Sequence, residues 1–189
     1  MPGALDSWMP AWDARERYAV RVRAPATLVY EVARQFDIQS IAPVRWIFAL
    51  RERLMGATPT QRVPRGFLDE MRALGWGCLR ETPGEVFVAG ARCQPWLADV
   101  VFTALPPDAF EAYAEPDQVK IAWTIETRAL DVATTELATE TRAVATDRAA
   151  RARFVGYWRW ARAGIVPIRW FLLPAIRGEA EARWRGRTR

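Results

Sequence analysis

The second half of the chain alternates between apolar and polar residues in a pattern typical of paired β-strands. In residues 119–129 the odd positions are mainly apolar, including Trp123, and the even positions are mostly polar. Residues 134–144 alternate again after a short segment at 131–133. A period of two residues is typical of a half-buried strand. We therefore predict a long β-hairpin with Trp123 on its apolar face.

The residues after the hairpin follow a helical period instead. Phe154 and Trp158 are four residues apart and belong to one apolar stripe. Gly164 and Pro167 then predict a break, because glycine often ends a helix and proline often begins one. We therefore predict two C-terminal helices that lie over the sheet, the second of them kinked or ended at Pro174.

The same spacing rules assign the other elements. We predict, in order, an irregular arm over 1–16, a half-buried strand over 17–24, helices over 25–34, 41–56 and 67–75, and two strands within 76–93. Ser40 is the predicted cap of the second helix and Gly56 its stop. Residues 57–66 form a polar connector, 97–105 fit either a strand or a short helix, and 110–116 alternate as a strand.

Length and composition predict one folded domain with a sizeable core, because half of the 189 residues are hydrophobic. We place this domain at 17–184, between the arm over 1–16 and a basic tail over 185–189. Ten Trp residues indicate either a Trp-rich core, which is the simpler interpretation, or a wide aromatic-lined interior.

The formal net charge is +5, and the positive residues are almost all arginine, with Lys120 the single lysine. Such a bias also arises from genome composition, and no nucleic-acid-binding motif accompanies it, so we expect no nucleic-acid partner. The arginines concentrate towards the C-terminus, which makes weak contact with an anionic membrane surface an alternative.

Several kinds of chemistry are excluded by composition. The chain contains no histidine, which excludes His-based catalytic triads and His-ligated metal sites. Cys78 and Cys93 lack the spacing of a metal or redox motif, so we expect neither a metal nor a cofactor. The N-terminus lacks the apolar segment of a secretory signal, and no apolar run reaches 18 residues. A soluble cytoplasmic protein is therefore the expectation.

Three stretches of the chain carry a resemblance to a known family. They are YAVRVRAPATLVYEVAR (18–34), FVAGARCQPW (87–96) and TELATETRAVATDRAARARFVGYWRWARAGIVPIRWFLLPAI (135–176). Together they span roughly residues 17–180 and resemble the START-like superfamily, which includes Bet v 1-like proteins, polyketide cyclases and lipid-transfer domains. Within it the chain is similar to a bacterial group of mostly uncharacterised SRPBCC-like proteins.

The resemblance implies an α+β helix-grip fold, in which a curved antiparallel sheet wraps around the C-terminal helices. This chain would add extra helices between the first and second strands. Because the superfamily hosts carriers, cyclases, hydratases and regulators, the fold alone does not give the function.

The candidate ligand-binding residues are those predicted to lie on the concave sheet face and on the helices facing it. They are Phe87, Trp96, Trp123, Ile125, Thr139, Phe154, Trp158 and Phe171. A pocket of this composition binds an apolar molecule by burial, and a few polar groups fix the orientation of that molecule. The alternative is that these side chains fill a closed core.

Glu140, Arg142 and Glu126 are the candidate catalytic residues. A shift of one residue in the hairpin decides whether Glu140 and Arg142 form an outer, solvated charge pair or enter the concave side beneath the helix. An inward Glu140 would be able to act as an acid/base group. We therefore consider a non-catalytic carrier or sensor of a hydrophobic molecule or lipid, a polyketide cyclase/aromatase-like enzyme with a cavity carboxylate, and a peripheral membrane lipid binder.

Overall fold

A six-stranded antiparallel sheet forms the centre of the computed structural model, which describes residues 3–57 and 66–187. Its strands are β1 (Ala14–Val22), β2 (Gly77–Thr82), β3 (Val86–Cys93), β4 (Thr103–Ala104), β5 (Val119–Asp131) and β6 (Thr134–Ala145). Their order in space is β1-β6-β5-β3-β2, and β4 pairs with β3. The predicted hairpin is the central pair β5–β6.

Five α-helices accompany the sheet within the described residues. They are α1 (Ala26–Gln35), α2 (Ala42–Met55), α3 (Phe67–Ala73), α4 (Pro107–Phe110) and α5 (Arg148–Arg187). Helices α1, α2 and α3 lie between the first and second strands, as predicted, and the α+β helix-grip fold is confirmed. Most of the predicted connector (58–65) and the end of the predicted tail (188–189) lie outside the described residues.

The sheet has two covered faces, because successive side chains of a strand point to opposite sides. On the helix face, α1 and α5 pack over Trp123 and Ile125. On the opposite face, which we call the arm face, residues 3–13 fold back and bury Leu5 and Met9. The N-terminal arm is therefore part of the packed structure.

Helix α5 is one continuous helix of 40 residues, so the predicted break at Gly164 and Pro167 is wrong. A proline inside a helix removes one backbone hydrogen bond and crowds the preceding turn. Both Pro167 and Pro174 are nevertheless accommodated. The second half of α5 buries Leu173 and Ala180 in the core, and this tertiary packing offsets the local cost of the prolines.

The start of α2 also differs from the prediction. Ser40 is not the cap, because its hydroxyl donates to the carbonyl of Asp37 (2.6 Å) within a short 3-10 turn. Ile41 occupies the cap position of α2 instead. Gly56 ends the helix in the left-handed conformation (φ 66°), as predicted.

The predicted strand over 110–116 is wrong. Pro107 begins the short helix α4, which buries Phe110 on the arm face, and the chain then turns towards β5. The ambiguous segment 97–105 contributes the two-residue strand β4, and the rest of it is irregular. Strand β4 thus extends the sheet beside β3, and Phe110 helps to cover the arm face.

Candidate functional site

Half-buried polar residues cross the middle of the helix face beneath α5. In the β1–β6 register, Glu16 lies opposite Thr141 and Tyr18 lies opposite Thr139. All four are half-buried, whereas the helix-face residues become buried towards both ends of the two paired strands. We call these four residues, together with Arg169 of α5, the polar gap.

Two apolar clusters flank the polar gap. The larger cluster combines Trp123 and Ile125 with the second half of α5. The smaller cluster combines Phe154 and Tyr157 of the first half of α5 with the other end of the sheet. The middle of α5 therefore covers polar side chains, whereas its first and second halves pack against apolar clusters.

Arg169 projects from α5 into the polar gap. Its Nη2 donates a hydrogen bond to the hydroxyl of Thr141. Burial lowers the pKa of Arg169, and the negative charge of Glu16 opposes this shift without cancelling it. A guanidinium carries five N–H donors and prefers planar anionic partners, and the Thr141 hydroxyl accepts from one of these donors. Arg169 is thus suited to receive a carboxylate, phosphate or carbonyl group.

Trp123 forms a rigid apolar wall beside the polar gap, since it lies opposite Thr141 in the β5–β6 register. Its ring centroid lies 5.2 Å from that of Phe67, 5.7 Å from Phe87 and 6.0 Å from Trp76. Contacts of this kind fix the orientation of an aromatic ring as well as burying its area. A molecule held by Arg169 would therefore meet an ordered aromatic surface.

The predicted ligand-binding residues fall into distinct environments. The larger cluster contains Phe87, Trp123 and Ile125. The smaller cluster contains Phe154, and Trp158 and Trp96 pack against it. Thr139 belongs to the polar gap. The hydroxyl of Thr139 donates to the carbonyl of Thr124 (2.7 Å). The structure thus brings Thr139 and Trp123 to the gap and places the other apolar residues in its flanks.

Phe171 is the predicted ligand-binding residue that lies outside the polar gap and both of its flanking clusters. Its side chain is 41% exposed and lies outside the buried clusters. Trp96 is half-buried at the edge of the smaller cluster, where the guanidinium of Arg153 lies 5.2 Å from its ring centroid.

Glu140 and Arg142 lie on the arm face, opposite to the polar gap. Arg142 pairs with Ala122, which is one residue out of phase with Trp123. This is the outer register of the two that the sequence allowed. The pair is not solvated, however, because the N-terminal arm covers it and each side chain is only 1% exposed.

An ion cluster satisfies this buried pair. The Nε of Arg142 donates to Glu140 (2.6 Å), its Nη1 donates to the carbonyl of Met9 (2.7 Å), and its Nη2 donates to Asp6. Glu140 also accepts a hydrogen bond from Arg15 (2.9 Å). Burial raises the pKa of Glu140, but hydrogen bonds and charges from Arg142 and Arg15 outweigh burial and keep that pKa below its ordinary value.

Glu126 belongs to the same face. It accepts a hydrogen bond from the hydroxyl of Thr124 (2.6 Å) and lies 3.3 Å from Arg17, which also contacts Glu140. All three candidate catalytic residues are therefore ion-paired on the arm face. The geometry does not place any of them in the polar gap.

Arg169, Glu16 and Tyr18 are residues of the candidate site that the sequence analysis did not identify. Arg169 interrupts the apolar run 165–176, and this interruption was the available signal. Glu16 fell in the predicted arm, because β1 begins at Ala14, earlier than the alternation indicated.

Two open depressions lie elsewhere on the described surface. One, of about 520 Å³, is bordered by Arg21, Arg23 and Arg177. The other, of about 630 Å³, lies between α1, α3 and the turn that joins β2 to β3. Neither is lined by a predicted ligand-binding residue.

Among residues 3–57 and 66–187, no group of three or more Cys, Asp or Glu side chains is arranged to hold a metal ion. The helices in this part of the chain do not include one that is both long and apolar enough to cross a bilayer.

Comparisons with known proteins give a fold likeness at low similarity. No family model and no curated protein matches the chain. A solved protein from Chromobacterium violaceum is 13% identical, with 88% of this chain and 96% of that chain covered and a TM-score of 0.37. A hypothetical protein from Helicobacter pylori is 13% identical, with 93% of each chain covered and a TM-score of 0.40.

The Zhui aromatase/cyclase from a Streptomyces species is 16% identical, with 90% of this chain and 94% of that chain covered and a TM-score of 0.29. Similarities this low carry no argument about function. The functional argument for this chain therefore rests on its own geometry.

Proposed function

We propose that the protein is a non-catalytic carrier or sensor that binds a small molecule with an apolar body and an anionic or carbonyl group. The molecule would lie in the polar gap beneath α5. Its polar group would contact Arg169, and its apolar body would lie against Trp123.

The observation that carries this proposal is the position of Arg169. A charge withdrawn from water is costly unless it is paired and hydrogen-bonded. Arg169 lies beneath α5 with the Thr141 hydroxyl as a hydrogen-bond acceptor and with Glu16 acting at longer range. A ligand carboxylate or phosphate would supply the planar partner that a guanidinium prefers.

Binding is favoured over catalysis by where the two carboxylates that were predicted to be catalytic lie. Glu140 and Glu126 are engaged on the arm face, and the low pKa of Glu140 opposes a role as a proton donor. The group that faces the gap most directly is an arginine, which stays protonated and is suited to hold an anion rather than to transfer a proton.

The proposal is tested with two fluorescent probes that differ in one group. 1-Anilinonaphthalene-8-sulfonate carries an anionic sulfonate, and N-phenyl-1-naphthylamine is the same aromatic body without it. We expect Arg169→Gln to weaken binding of the sulfonate about tenfold or more, since hydrogen bonds to charged groups contribute roughly 1.5–3 kcal/mol. Binding of the neutral probe should change little.

Arg159→Gln is the matched control, because Arg159 is an exposed arginine of the same helix. It should leave both affinities unchanged. Equal weakening of both probes by Arg169→Gln, or no weakening of either, would contradict the proposal. Mass spectrometry of the denatured purified protein should in addition reveal a co-purified apolar acid, phosphate ester or carbonyl compound.

A further inference from the structure

An uncovered apolar stripe follows the outer side of α2. Trp46, Leu50 and Leu54 recur every four residues and are 76%, 57% and 68% exposed. Residues at this spacing share one face of a helix. Scattered exposed apolar residues need no explanation, but an aligned series on one helix indicates a contact surface.

A second stripe lies beside it on α5. The two helices meet where Ile47 approaches Gly164, since a Cβ built on that glycine would lie 3.5 Å from the Cγ2 of Ile47. Trp160 and Phe171 lie four residues before and seven residues after Gly164, so they share its side of α5. Their side chains are 46% and 41% exposed.

The two stripes form one surface, which we call the seam surface. Leu50 and Leu54 lie three and seven residues after Ile47, so they flank the α2–α5 contact from one side. Trp160 and Phe171 flank it from the other. The seam surface therefore presents exposed aromatic and aliphatic side chains from two neighbouring helices.

The two helices that carry the seam surface are rich in positive charge. Residues 148–178 of α5 contain neither Asp nor Glu and have six arginines besides Arg169, which faces the polar gap. Residues 42–55 of α2 add three arginines and one glutamate. This excess is larger than the net charge of +5 of the whole chain, so the remainder of the chain is net acidic. The basic character is thus concentrated on the two helices that carry the seam surface.

We propose that the seam surface docks on an anionic lipid bilayer. Tryptophan is enriched at the interface between lipid and water, and arginine attracts anionic headgroups while its stem lies along apolar surface. Surface-bound amphipathic helices combine these two features. A second copy of the chain is the less favoured occupant, because self-association through this surface would bring two arginine-rich helix pairs together.

Vesicle co-sedimentation tests the proposal. Vesicles of phosphatidylcholine with about one-third phosphatidylserine should sediment the protein at low salt. Binding should weaken as the salt concentration is raised, because salt screens the attraction between the arginines and the anionic lipids. Vesicles of phosphatidylcholine alone should bind at least about tenfold more weakly, because each basic group near an anionic surface contributes about 1 kcal/mol.

Leu50→Ser with Leu54→Ser should weaken binding to the anionic vesicles about tenfold or more without a change in the circular dichroism spectrum, since these side chains are exposed. Val132→Ser is the matched control, because Val132 is 93% exposed at the tip of the β5–β6 hairpin. It should leave vesicle binding unchanged. Arg169→Gln should also leave it unchanged, which separates this proposal from ligand binding in the polar gap.

Three results would overturn the docking proposal. The first is no sedimentation with anionic vesicles at low salt. The second is equal binding to neutral and anionic vesicles. The third is a concentration-dependent dimer in analytical ultracentrifugation that Leu50→Ser with Leu54→Ser abolishes while vesicle binding persists, because the seam surface would then be an interface between copies of the chain.

Discussion

The two faces of the sheet each keep an arginine away from bulk water, but they surround it differently. On the arm face, Arg142 is 1% exposed and meets Glu140, Asp6 and a backbone carbonyl. On the helix face, Arg169 meets a hydroxyl and the more distant charge of Glu16. The chain itself supplies the partners of the first arginine, whereas the second has donors suited to a ligand.

This difference separates a structural cluster from a candidate binding site. A buried ionic network with its hydrogen bonds made is costly to disturb and has little capacity for another partner. A withdrawn charge with an incomplete set of partners gains most from a ligand that completes it. The contrast therefore predicts opposite responses of stability and binding when each arginine is replaced.

Replacement of Arg142 should have the largest effect on stability. Arg142→Met leaves the charge of Glu140 buried with fewer partners and releases the contacts to the arm. Removing one partner of a buried ion pair costs about 3–5 kcal/mol. We expect a loss of this size in the free energy of unfolding, measured by urea denaturation followed by circular dichroism.

Arg183→Met is the control for this measurement. Arg183 pairs with Glu179 one turn away on the exposed end of α5. Exposed pairs of this kind contribute about 0.3–0.5 kcal/mol. If the two variants lose similar amounts of stability, the arm-face cluster has no special structural role.

A change of pH should affect stability through Glu140, by less than the replacement of Arg142. The pKa of Glu140 is held below its ordinary value of 4.5 in the folded state. Its contribution to stability is therefore complete above the pKa of the unfolded chain and is lost as pH falls through the folded pKa. The urea concentration at the unfolding midpoint, measured between pH 7 and 3, should decrease once the pH is below about 4.5. In Glu140→Gln this decrease should be shallower. Parallel pH profiles for the two proteins would contradict this assignment.

The faces of the hairpin were partly predictable. The apolar side of β5 follows from simple alternation, and Trp123 lies on it as predicted. The side taken by Glu140 was not predictable, because the pairing shifts by one residue between Ala129 and Asp131, next to the turn. A single bulged residue exchanges the two faces of a strand, and the residue types in this turn do not predict the bulge.

The continuity of α5 was not predictable from local signals. Gly164 and Pro167 favour a helix end in isolation, and the burial of Leu173 and Ala180 that opposes this is a property of the folded chain. The position of Arg169 follows from the same cause, since the continuous helix carries it over Thr141.

Replacement of Arg169 should have the smallest effect on stability and thereby give the sharpest test of the comparison. Arg169→Met removes a withdrawn charge that has few partners within residues 3–57 and 66–187, and its apolar stem is largely retained. Replacing a poorly compensated charge by an apolar residue is often neutral or stabilising, so we expect a change within about 1 kcal/mol in the free energy of unfolding. Binding of 1-anilinonaphthalene-8-sulfonate should nevertheless fall markedly. A loss of stability of about 3 kcal/mol or more, comparable with that of Arg142→Met, would instead make Arg169 a structural residue and the polar gap a part of the core.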